Sequence, residues 1–103
     1  MTVQQELNAD PDALALMVTA EMAWEATDIP GVSQKLLERV IDDEKGRETA
    51  LIKVDPGTTF PHDSLPQREE IFVLEGSLSD EHGDYGQHTF ILNPAGFTHT
   101  LSS

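Results

Sequence analysis

Apolar and polar residues alternate along most of this chain in short runs, broken by turn residues at intervals of about ten. The runs fall at 21–25, 33–41 ("SQKLLERVI"), 48–54 ("ETALIKV"), 58–62, 69–75 ("EEIFVLE"), 77–81, 88–92 ("HTFIL") and 98–102. A period of two over so few residues predicts half-buried strands rather than helices. Between them stand "DIPGV", "DDEKGR", "DPGT", "DSLPQR", "DEHGDYGQ" and "NPAGF", each rich in the Gly, Pro, Asp and Asn that tight turns require. Eight short strands joined this way predict an all-β sandwich or jelly roll.

Residues 1–20 depart from that pattern. They begin polar and turn apolar after Asp10-Pro11, where Asp10 can cap and Pro11 can open a short helix carrying Leu14 and Met17. The segment "ALALMV" could equally pair as an edge strand. The chain thus divides into an N-terminal helix or arm over 1–20 and a β domain over 21–103.

Composition narrows the function. A chain of 103 residues has room for one core. Nineteen acidic residues against six basic ones leave a formal charge of −13, which repels nucleic acid and anionic membranes and serves solubility. With no cysteine, disulfides, thiolate catalysis and cysteine zinc sites are excluded, so chemistry rests on His, Asp, Glu and hydroxyls. The N-terminus lacks a signal-peptide pattern and no run is long enough to cross a bilayer, which makes the cytoplasm the expected location.

Chemistry concentrates in "TTFPHDSLPQREEIFVLEG", residues 58–76, where His62 precedes the pair Glu69 and Glu70 and an apolar strand. Residues two apart on a strand share a face, so neighbouring strands of a barrel can aim His and carboxylate ligands inward at a divalent metal. The stretch "EEIFVLEGSLSDEHGDYGQHTFILNPAGFTH" resembles the cupin domain of ChrR-type proteins, the anti-sigma factors of extracytoplasmic-function sigma factors. "AWEATDIPGVSQKLLERV" and "ETALIKVDPGTTFP" also resemble that family, so the likeness covers roughly residues 22–102.

The resemblance implies a cupin double-stranded β-helix lacking its last strand or strands. It further implies that a homo-oligomeric partner or a second cupin domain completes the sheet. Counting back from Gly76, Glu69 matches the family's metal-ligating glutamate, and the spacing of Pro94 and Gly96 makes His99 match the last ligating histidine. The intervening His-x-His pair does not carry over. A gapless register from Gly57 puts Asp63 and Leu65 at those two positions and turns His62 outward. A shift of one residue puts His62 and Ser64 there instead. The gapless register is favoured, because Phe60 and Pro61 then keep their family positions.

The candidate ligands are therefore Glu69 and His99 with Asp63 or His62, a depleted set. Zn(II), Fe(II), Mn(II) or Ni(II) is expected to bind weakly or not at all. His82 and His88 read as solvated turn residues, Glu70 as a surface carboxylate, and Trp24 and Phe72 as barrel packing. The resemblance implies a regulatory, ligand-sensing module linked to anti-sigma regulation, with a possible small-molecule ligand and no catalytic residue assigned. The alternatives are a metal-dependent dioxygenase cleaving small diketones or aromatic ketones, and a purely structural, dimerising cupin. Sigma binding in the family belongs to a separate zinc domain with Cys ligands, which this cysteine-free chain does not contain.

Overall fold

The computed structural model describes residues 6–10, 12–41, 46–63 and 68–103, with Asp63 by its backbone. Among them are a 3-10 turn, Thr19–Glu21, and nine strands. The strands are β1 (Glu25–Ala26), β2 (Val32–Val40), β3 (Arg47–Val54), β4 (Thr59–Asp63), β5 (Glu69–Phe72), β6 (Leu78–Asp80), β7 (Gly83–Tyr85), β8 (Phe90–Asn93) and β9 (Thr98–Ser102). They belong to two units, Met1–Lys53 and Val54–Ser103. The protein is all-β, and no helix among the described residues is long and apolar enough to cross a membrane.

In the first unit the strand order is β1-β2-β3, with β1 antiparallel to β2 through Glu25↔Gln34 and Ala26↔Ser33. Two ion pairs tie β2 to β3, Arg39 to Glu48 at 2.9 Å and Arg47 to Glu38 at 3.0 Å. Trp24 is not the packing residue expected. Its ring is partly exposed and carries two ammonium groups, Lys35 Nζ at 4.6 Å and Lys53 Nζ at 4.8 Å from the centroid. Lys35 itself is buried, a placement tolerated because its Nζ also donates to the Thr19 carbonyl at 2.7 Å.

The helix option for the N-terminal segment is corrected. Asp10 does act as a turn-former, accepting from Asp12 N at 2.9 Å, yet residues 14–18 continue without helix or strand and Pro11 lies outside the described residues. Of the stripe expected on that helix, Leu14 is 86% and Met17 37% exposed, so the described residues do not bury the face on which a helix this short depends.

The second unit holds two antiparallel sheets, one ordered β4-β9-β6-β7 and the other β5-β8. The first begins at "DPGT", where Thr58 N bonds Asp55 O at 3.1 Å and Gly57 takes φ +82°. That is a type II turn with Pro56 pre-set at its second position and glycine at the third, where a Cβ is disfavoured. The same turn recurs at Pro94–Phe97, with Gly96 at φ +76°, and delivers the chain into β9.

Alternation then decides which faces point in. Phe60 and Leu101 are buried and sit opposite each other, while Pro61 is exposed. The "DEHGDYGQ" segment, expected to be only a turn, contains β7, which pairs with β6 through Leu78↔Tyr85 and Asp80↔Gly83. That is why nine strands are found where eight were expected. In the β5-β8 pair, Glu69 and Ile71 lie on the more buried face, and Glu70 and Phe72 on the exposed one. Phe72, expected to pack inside, is 52% exposed, opposite Phe90.

Candidate metal centre

The site is built by β4 and β9 from one sheet and β5 and β8 from the other. On β4 the period of two that buries Phe60 carries His62 to the same side, and its cross-strand partner on β9 is His99. The two imidazole rings stand 5.5 Å apart, and the Phe60 ring meets His62 edge-on at 6.4 Å. From the other sheet, Glu69 at the start of β5 offers Oε2 to His62 Nε2 and Oε1 to His99 Nε2, the latter at 3.5 Å. Asn93 Nδ2, buried on β8 directly opposite Glu69, donates to the same Oε1 at 3.1 Å.

One donor atom from each of His62, Glu69 and His99 therefore lies within 4.8 Å of the others. Ligands ~2.0–2.2 Å from a shared ion stand roughly 3.0–3.5 Å from one another, a spacing the His99 Nε2 and Glu69 Oε1 pair meets at 3.5 Å. Asp63 pairs with Thr98 by its backbone, while Ser64 and Leu65 lie outside the described residues. The favoured register is thus corrected: His62 turns toward Glu69 and His99, not away. Leaving Phe60 outside to turn Pro61 inward would forfeit a large apolar burial, and strand alternation extends that choice to the next residue but one.

Electrostatics suit a cation. Burial pushes the Glu69 carboxyl up, but hydrogen bonds from His62 and Asn93, and the charges His62 and His99 carry when protonated, outweigh it and hold the group below the usual carboxylate range. His99 is the most enclosed member, with a side chain only 1% exposed. Its Nδ1 faces Asp80 Oδ2 at 3.0 Å. Burial also raises the Asp80 carboxyl, and hydrogen bonds from His99, the His82 backbone and Tyr85 more than reverse this, leaving it at about 2. Asp80 is thus ionised at neutral pH and can only accept, so the proton of a neutral His99 sits on Nδ1. Among the described residues His99 Nε2 is buried and makes no hydrogen bond, although it faces Glu69 Oε1 at 3.5 Å, so the lone pair of that tautomer is directed at the cluster. Unsatisfied buried polar atoms are rare in native proteins, and a ligand-shaped explanation fits this one.

A match to the model of the ChrR cupin-like domain spans residues 12–103. The chain belongs to the ChrR cupin-like family. A search of curated proteins found no match. Of the positions at which this ChrR cupin-like chain resembles the cupin metal motifs, Glu69 and His99 lie in the cluster, and His62 joins them. The residues therefore fit a divalent metal as two imidazoles and one carboxylate.

Two residues escaped the reading of the sequence, Asp80 and Asn93. Asp80 hid inside an ordinary turn motif, where Asp is common for reasons unconnected with a site. Asn93 preceded a proline and looked like punctuation, although the alternation of β8 places it on the inner face. His82 and His88 remain exposed, as expected, with His82 against the Phe97 ring at 5.3 Å. His88 occupies φ +68°, the left-handed position where the family motif has glycine.

Proposed function

We propose that this ChrR cupin-like chain is a regulatory, ligand-binding module whose centre at His62, Glu69 and His99 takes a divalent transition metal. The observation that carries the metal is His99 Nε2, which is buried and makes no hydrogen bond among the described residues while facing a carboxylate and a second imidazole. Two nitrogens and one oxygen suit Fe(II), Zn(II), Mn(II) or Ni(II), with positions left over for a small-molecule ligand. The bound ion would supply a Lewis-acid point for such a ligand. The chain's own residues do the rest: Asn93 and the two imidazoles keep Glu69 ionised, and Asp80 holds His99. The regulatory half of the reading is supported by membership of a family described by its ChrR likeness.

Metal analysis of the chain, purified without added metal and then incubated with each of the four ions, tests the proposal. Near-stoichiometric uptake, abolished in His99→Ala and Glu69→Gln, is expected; no uptake by the wild type overturns it. The two-histidine, one-carboxylate set also favours a second reading, a dioxygenase. Fe(II)-dependent oxygen consumption with small diketones or aromatic ketones would establish that reading in place of the regulatory one.

A further inference from the structure

Asp80 ends β6, and its carboxylate is shared between two tasks. Oδ1 accepts from three groups of its own hairpin, His82 N at 2.8 Å, Gly83 N at 3.2 Å and Tyr85 Oη at 2.8 Å. Oδ2 is turned to His99 Nδ1. The side chain is 2% exposed. Three donors converge on Oδ1 and Oδ2 faces the imidazole, so rotating the carboxylate away from His99 would break contacts on both oxygens. The "DEHGDY" segment thus supplies its own donors, Tyr85 included, to clamp one oxygen and aim the other.

We propose that Asp80 is the positioning residue of this centre: clamped by the β6-β7 hairpin, it holds the proton of His99 on Nδ1 and keeps the Nε2 lone pair directed between His62 and Glu69. The inference rests on the metal reading above, but its tautomer half stands on the apo chain alone. Histidines that bind metals commonly donate their other ring N–H to a carboxylate, and loss of that partner weakens metal affinity by about 10–100-fold. Asp80→Asn is the informative change. An asparagine whose Oδ1 still serves the three hairpin donors presents an amide N–H to His99 Nδ1, which then must accept. The proton moves to Nε2 and the lone pair leaves the site.

The test is nitrogen-15 NMR of the imidazoles in the metal-free chain, paired with titration by Zn(II) alone. Wild-type His99 is expected to carry its proton on Nδ1. D80N is expected to carry it on Nε2 and to bind Zn(II) about 10–100-fold more weakly with its cold fold intact by circular dichroism. Y85F, which removes one Oδ1 donor and leaves Oδ2 in place, keeps the wild-type tautomer. A wild-type His99 protonated at Nε2 overturns the proposal, and this measurement needs no variant to fold. A D80N chain with unchanged tautomer and Zn(II) affinity also overturns it. Absence of Zn(II) binding by the wild type overturns the metal reading instead, and the apo tautomer still decides the role of Asp80.

Discussion

The orientation of His62 depends on Phe60, and truncating Phe60 tests that dependence. Phe60 is 6% exposed, packs opposite Leu101, and lies two residues before His62 on β4. A phenylalanine side chain buries about 150–250 Å², which at about 25 cal/mol per Å² is worth ~4–6 kcal/mol as an upper bound. Measured Phe→Ala changes in cores cost about 3–5 kcal/mol, so Phe60→Ala should lose roughly that much. Pro61, exposed on the same strand, is the internal control. Pro61→Ala removes no core contact and acts on the freedom of the unfolded chain, for about 0.4–1 kcal/mol. Small domains have only about 5–15 kcal/mol in total, so F60A sits near the edge of folding and P61A does not. Urea unfolding at low temperature, followed by far-ultraviolet circular dichroism, measures both. A larger loss in P61A than in F60A would refute the reasoning, because the strand would then face the other way and His62 would turn out of the site.

Other measurements bear on the network around the centre. Asp80 has a folded pKa of about 2, below its unfolded value of about 3.9, so unfolding takes up a proton. The stability it contributes is complete above about pH 4 and lost as pH falls toward about 2. Discounted for solvent screening it amounts to about 1–2 kcal/mol, and acid titration of stability should be flatter by that amount in D80N. Asn93→Asp sets a second carboxylate where an amide now donates to Glu69 at 3.1 Å, and carbon-13 NMR should show the Glu69 pKa rise by on the order of one unit or more. Lys35→Met keeps the apolar stem but strips the donor from the Thr19 carbonyl and one cation from Trp24. It should cost about 1.5–3 kcal/mol by urea unfolding, against less than about 1 kcal/mol for Lys53→Met, which loses only the ring contact.

Much of the β framework was legible because its signals are local. The prolines and glycines at 56–57 and 94–96 predicted turns, and these turns set the starts of β4 and β9. The resemblance to the cupin motifs, counted back from Gly76 and through Pro94 and Gly96, pointed to Glu69 and His99. β7 was missed because three residues carrying one glycine and one aspartate look like turn, and only the β6 partner makes them a strand. Leu14 and Met17 misled in the other direction: an apolar stripe predicts a helix only where something buries it.

By itself the sequence determined the all-β class through residue type and spacing, and its resemblance to the ChrR-type cupins pointed to Glu69 and His99, two of the three residues of the cluster. What tertiary structure alone decided was the third member of the cluster, His62, and the residues around it. Strand alternation leaves a one-residue ambiguity between His62 and Asp63, and no local preference resolves it; burying Phe60 against Leu101 does, across forty-one residues of chain. Asp80 and Asn93 became legible only when pairing brought them to His99 and Glu69, nineteen and twenty-four residues away in sequence. A hydrogen bond depends on position in space, which a period of two does not supply.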